Sequence, residues 1–178
     1  MITFFGHSSA NSFDFNLDHP RNYSNFQKYP LIMALGCYGG SMFEVNPLIS
    51  EDFIFEPQAG AGGFFASSSA AELFALNQFG RQFYDGVTRV HYGEGAAKST
   101  QYAIRTLEAI NYSVTNQMAC HYMVYHGDPA YQVAATTAPD YYIDEDLVDH
   151  SPDVVTIPMN NFNLELDVYN IHRRRFGN

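Results

Sequence analysis

His7 and Cys37 are the residues of this chain best equipped for covalent chemistry, and each directly follows a glycine that ends a short apolar run. The runs are Ile2-Thr3-Phe4-Phe5-Gly6 and Leu31-Ile32-Met33-Ala34-Leu35-Gly36. A thiol within hydrogen-bond reach of an imidazole is the minimum equipment of a cysteine nucleophile, because the imidazole holds the thiolate and later protonates a leaving group. If the two runs are neighbouring strands, the pair predicts acyl transfer by a cysteine hydrolase, a peptidase foremost. The competing reading is a buried strand-end thiol that does no chemistry, which is how most lone cysteines behave.

Other chemically capable residues have simpler explanations. Cys120 and His121 are adjacent, and on a helix adjacent side chains diverge by about 100°, so core packing is the expected role. Asp128 sits between Gly127 and Pro129, where aspartate serves turns. Glu51 falls in a first helical turn, where a carboxylate suits the helix dipole. Asp14, Asp18 and His19 share a loop and could hold a hard cation, but their spacing follows no cation-binding motif. No CxxC or Cys/His cluster has zinc spacing, so no metal or other cofactor is expected.

The elements that must position the pair follow from patterning. Unbroken apolar runs that stop at glycine predict buried parallel strands, and in open α/β sheets ligands bind at the carboxyl edge. The polar stretch from Ser8 to Lys28 is longer than a mere connector, with Phe13 and Phe15 alternating as in a short edge hairpin. Gly39 and Gly40 let the backbone after Cys37 come close to a ligand. Asn46-Pro47 predicts a helix start, with Glu51 and Asp52 in its first turn and Pro57 at its end. Gly60–Ala66 predicts a third buried strand, and Ser67-Ser68-Ser69 cap a helix over about 70–84. A further helix is expected over about 96–110, and Gln117 to Tyr125 reads as a short helix or an extended arm.

After residue 138 the texture changes. Acids crowd 140–153, and Phe162, Leu164, Leu166 and Val168 alternate with polar residues, which predicts an antiparallel strand with one buried face. The expected division is 1–138 for the α/β part and 139–178 for a linker and the first strands of a β-sandwich. Some forty residues cannot complete such a sandwich, which takes ~100.

Composition sets the outer bounds. A chain of 178 residues holds one core of ordinary size with a small appendage. A hydrophobic fraction of 46% against 16% charged excludes disorder. The net charge of −10 divides equally between 1–138 and 139–178, so neither part offers a basic face to nucleic acid or an anionic membrane. Arg173-Arg174-Arg175 reads as a solvated terminus. No stretch reaches the ~18 apolar residues of a membrane span. Met1 runs directly into a strand, leaving no signal peptide in this chain, and a parallel strand at residue 2 is expected to be the back half of a longer domain.

Taken together, four motifs resemble a known family in order and spacing: Phe5-Gly6-His7, Tyr29 to Cys37, Gly60 to Ser68, and His126-Gly127-Asp128-Pro129-Ala130. They are similar to the gingipain family of cysteine peptidases, and most closely to its type IX secretion system sortases. The resemblance covers about residues 2–133. It implies a caspase-like α/β sheet flanked by helices, followed by the start of an immunoglobulin-like domain. It further implies Cys37 as nucleophile, His7 as general acid and base, and backbone N–H groups of Ser8 and Cys37 as the oxyanion donors. Glu51, Gly39 and Ser67 would line the substrate pocket. A protein or peptide substrate, contact with secretion-system components and an exported or cell-surface location follow from the same likeness. Ser8 departs from the pattern, since the family usually has glycine after the histidine. The alternative is a non-catalytic fragment or interaction module that keeps the fold, because the family's orienting acid and several strands lie upstream of the histidine.

Overall fold

Leu31–Leu35 forms the central strand, β2, and every residue in it is buried. In the computed structural model, which describes residues 1–14, 18–43, 48–110, 113–133, 141–142, 148–151 and 163–170, two compact units are present, Met1–Ala135 and Thr136–Asn178. In the first unit β2 lies between β1 (Ile2–Phe5) and β3 (Gly63–Ser67), and β4 (Met123–Gly127) completes the order β1-β2-β3-β4. The first three strands are parallel, and β4 runs antiparallel to β3.

Alternation along β2 splits the core into two layers, because successive side chains point to opposite faces. Leu31, Met33 and Leu35, with Phe65 of β3, pack against Leu76, Phe79 and Phe83 of α2 (Leu73–Asp85) and Ala103 and Leu107 of α3 (Ala96–Ile110). Ile32 and Ala34, with Phe64 and Ala66, pack against Ile49 and Phe53 of α1 (Ile49–Phe55), and Phe13 and Tyr23 close the same layer. Helices on both faces of a mostly parallel sheet are the α/β layer solution the apolar runs call for.

Several expectations are corrected. β1 is composed of core-type residues yet is largely exposed, with Ile2 at 43% and Phe5 at 51%, because it forms the sheet edge. The helix after the third strand begins at Leu73, and its N-cap is Glu72, whose carboxylate accepts from the Ala75 N–H at 2.8 Å. The serines do not cap it: the Ser67 hydroxyl turns instead to the Ser69 carbonyl at 2.9 Å. The segment from Gln117 onward is both structures in succession, α4 (Val114–Tyr122) and then strand β4. The α1 cap expected at Asn46-Pro47 lies outside the described residues, and the residue at that cap is Leu48, which offers no side-chain hydrogen bond. Phe15 likewise lies outside them, while Ser8 and Phe13 do form an isolated antiparallel bridge.

The second unit contains two antiparallel pairs, β5 (Tyr141–Tyr142) with β8 (Tyr169–Asn170) and β6 (Val148–Ser151) with β7 (Asn163–Leu166). The alternation at 162–168 therefore marks an antiparallel strand, but not one with a buried face. Leu164 and Leu166 are 53% and 48% exposed, and among the described residues nothing covers them.

Candidate active site

The carboxyl ends of β1 and β2 stay in contact past the last paired residues. The register pairs Phe5 with Leu35, so His7 and Cys37 each stand two residues beyond it. Gly6 N–H donates to the Leu35 carbonyl at 3.2 Å, and the Ser8 hydroxyl donates to the Cys37 carbonyl at 2.7 Å. The residues on either side of His7 thus both touch the Leu35–Cys37 segment. Neighbouring strands lie ~4.8 Å apart, and these two contacts hold the turns at about that spacing.

Gly36 is what allows this approach. A β-carbon there would lie 2.3 Å from Ser8 Oγ and 2.6 Å from the Gly6 carbonyl oxygen, and no side chain fits. On the sheet face that carries α2, Thr3 hydrogen-bonds Tyr84, and Leu35 packs in the α2 layer. Leu35, the last residue of β2, thus marks the face toward α2. Cys37 Sγ lies 3.8 Å from the carbonyl oxygen of Ala71, just ahead of α2. Cys37 is partly exposed and His7 exposed, so solvent reaches both.

Backbone donors are also available. Ser8 and Phe13 form a non-hydrogen-bonded bridge, since the flanking bonds run from Asp14 N–H to His7 and from Ser9 N–H to Ser12. The Ser8 N–H therefore points away from Phe13. Among the described residues neither it nor the Cys37 N–H has an acceptor.

After Cys37 the chain turns sharply. Tyr38 has φ of 59°, a left-handed conformation that costs a non-glycine residue ~1–2 kcal/mol. Its N–H donates to Ser69 at 3.1 Å, and the Gly40 N–H donates to Ser67 at 2.9 Å. A β-carbon on Gly40 would sit 2.6 Å from the Ala66 carbonyl oxygen, so this turn lies directly on β3.

The other residues named from sequence are spread around this turn. Gly39 is buried, its missing β-carbon 3.4 Å from Ala66 Cβ, and Ser67 is buried with its hydroxyl committed to Ser69. Glu51 is half-buried in the first turn of α1, and its charge acts on His126 of β4. His126 had no assigned role beyond its motif. Burial lowers its pKa, opposed by Glu51 and by a hydrogen bond to the Gly40 backbone, and its Nε2 is buried without a partner among the described residues. Only its place in a half-buried strand segment beside Gly127 could have drawn attention to it.

Cys120 is half-buried against the α2–α3 layer, with its thiol pKa raised by burial and by Glu108. Asp128 holds its own turn, accepting from the Ala130 N–H at 2.9 Å. His19 bonds Arg21 and lies 3.3 Å from Asp52. Asp14, Asp18 and His19 form no cation cage, since among the described residues no group of three His, Cys, Asp or Glu side chains could hold a metal. No helix of the described residues is long and apolar enough to cross a membrane.

Comparison with known proteins gives this geometry a context. No curated protein matches the chain. Among solved structures, the Arg-specific cysteine proteinase gingipain R (RgpB) superposes with a TM-score of 0.68 at 14% identity, over 80% of this chain and 35% of that one. The complex of Porphyromonas gingivalis RgpB pro- and mature domains gives 0.67 at 14% identity, over 80% and 36%. A structure described only as a protease gives 0.63 at 12% identity, over 83% and 40%. At such identities the likeness shows the fold, and the chain spans well under half the length of these neighbours. The sequence model for peptidase family C25 matches residues 1–134, the span that holds the four-stranded sheet and the turns carrying His7 and Cys37, and the chain belongs to that family, the gingipain family.

Proposed function

We propose that the chain carries the nucleophile and the acid–base group of a cysteine peptidase. His7 takes the Cys37 thiol proton, and the thiolate attacks the carbonyl carbon of a peptide bond. Charge collects on the carbonyl oxygen, where the backbone N–H groups of Ser8 and Cys37 are the donors. The imidazolium gives its proton to the leaving amine as the C–N bond breaks, and a thioester remains on Cys37. Water or an amine, deprotonated by His7, then releases the acyl group, giving hydrolysis or transpeptidation. Gly39 and Ser67 lie buried beneath the turn that receives the substrate, and Glu51 on α1 is the pocket carboxylate the motifs imply. The observation that carries this reading is the bracketing of His7, with Gly6 bonded to Leu35 and Ser8 to Cys37.

The substrate is a protein or peptide. By the same likeness in motifs, the protein is exported to the cell surface, with type IX secretion as its route, and residues 139–178 begin an immunoglobulin-like domain.

A second reading, a non-catalytic module that keeps the fold, is favoured by one observation, the exposed apolar edge of β1. An activated ester separates the two. With p-nitrophenyl acetate, the peptidase reading expects a burst of p-nitrophenol, with the acetyl group mapped to Cys37 and lost in His7→Ala. Equal acetylation of Cys37 and Cys120, unchanged by His7→Ala, supports the non-catalytic module instead.

A further inference from the structure

We propose that Ser8 is a positioning residue of the cysteine site, its hydroxyl locking the peptide unit between Cys37 and Tyr38. The inference rests on the peptidase reading and adds a role for the side chain at this position. That peptide is clamped at both ends: its carbonyl accepts from Ser8 Oγ at 2.7 Å, and its N–H donates to the Ser69 carbonyl at 3.1 Å. One clamp comes from the histidine turn and the other from the turn after β3, so the unit is tied to both neighbouring strands.

The clamp bears on the chemistry through the backbone. Tyr38 is held at φ of 59°, and rotating the Cys37–Tyr38 peptide is the movement that would relieve it. Such a rotation would swing the Cys37 carbonyl off the Ser8 hydroxyl and the Tyr38 N–H off Ser69, and so part the histidine turn from the backbone of the nucleophile. The Ser8 hydroxyl opposes that rotation and also ties the residue after His7 to the nucleophile. The pocket for this side chain is cut by Gly36, where a β-carbon would lie 2.3 Å from Ser8 Oγ and 3.2 Å from Ser8 Cβ. Glycine at position 8 would leave the Cys37 carbonyl without this donor, and alanine would fill the space without the bond.

The test uses the full chain in a Cys120→Ser background, so that only Cys37 reacts. The second-order rate of iodoacetamide modification is measured from pH 5 to 9, alongside hydrogen exchange at the Tyr38 amide. Ser8→Ala and Ser8→Gly are expected to slow modification at pH 7 by about 5- to 10-fold and to speed Tyr38 exchange by a similar factor, the factor that one net hydrogen bond commands. A merely structural serine would lower thermal stability and leave the Cys37 modification rate of a folded variant where it was. Wild-type modification rates and Tyr38 exchange in both variants would overturn the inference. If His7→Ala slows modification while the Ser8 variants do not, only this inference fails. If His7→Ala leaves it unchanged, the peptidase reading fails with it.

Discussion

Phe5 and Leu35 form the last register pair between β1 and β2, and the two residues with nucleophilic and acid–base capacity stand equally far beyond it. Equal counts from a common rung keep two side chains on one face of a sheet, because strand side chains alternate with a period of two. A one-residue slip would set His7 and Cys37 at unequal distances from their last shared rung. The register seats Leu31, Met33 and Leu35 in the α2 layer and Ile32 and Ala34 in the α1 layer.

Gly36→Ala tests how closely the two turns approach. The added methyl would meet Ser8 Oγ and the Gly6 carbonyl, and the latter is backbone that cannot swing aside. Urea denaturation is expected to show a loss of about 1–3 kcal/mol, in the range of overpacked sites. A variant as stable as the parent would mean the turns are farther apart.

Tyr38→Gly probes the strained turn. Removing the β-carbon relieves the left-handed conformation at φ of 59°. Stability should rise by up to about 1 kcal/mol. A clear loss would show that Tyr38 packing outweighs its backbone cost.

His126 should make stability depend on pH. Facing it are Glu51 on α1, the Gly40 backbone and its β3 partner Phe64, and burial wins over the two groups that favour the charged ring. Its folded pKa lies below 6.5, so between the two values the unfolded chain binds the proton and the folded chain does not. Stability is then full above pH 6.5 and declines as pH falls from there toward the folded pKa. Thermal melts from pH 7 to 5 should show this decline, and His126→Gln should flatten it. An unchanged slope in that variant would rule out His126 as the source.

Much of the fold around the candidate site was legible before any coordinates. Leu31–Leu35 is apolar at every position, and only a strand covered on both faces uses such a run, so the central strand and the glycine that ends it could be read directly. The helix at Ala96–Ile110 could be read from its spacing, although Ile110 at its end is 72% exposed. β1 carries the same apolar signature yet lies at the edge, because composition records what a strand is made of and not who stands beside it. β4 was hidden for a different reason: Met123–Gly127 is too short and mixed to separate from the helix that runs into it. Ser8 was legible as a departure from glycine, but the target of its hydroxyl depends on a register that only coordinates supply.

The rate at which iodoacetamide modifies Cys37 at pH 7, with and without His7, tests the central claim most directly. Selective modification of Cys37 over Cys120 that slows by at least about tenfold in His7→Ala is the expected result. Modification of Cys37 at the same rate in both proteins, and no faster than that of Cys120, would contradict it.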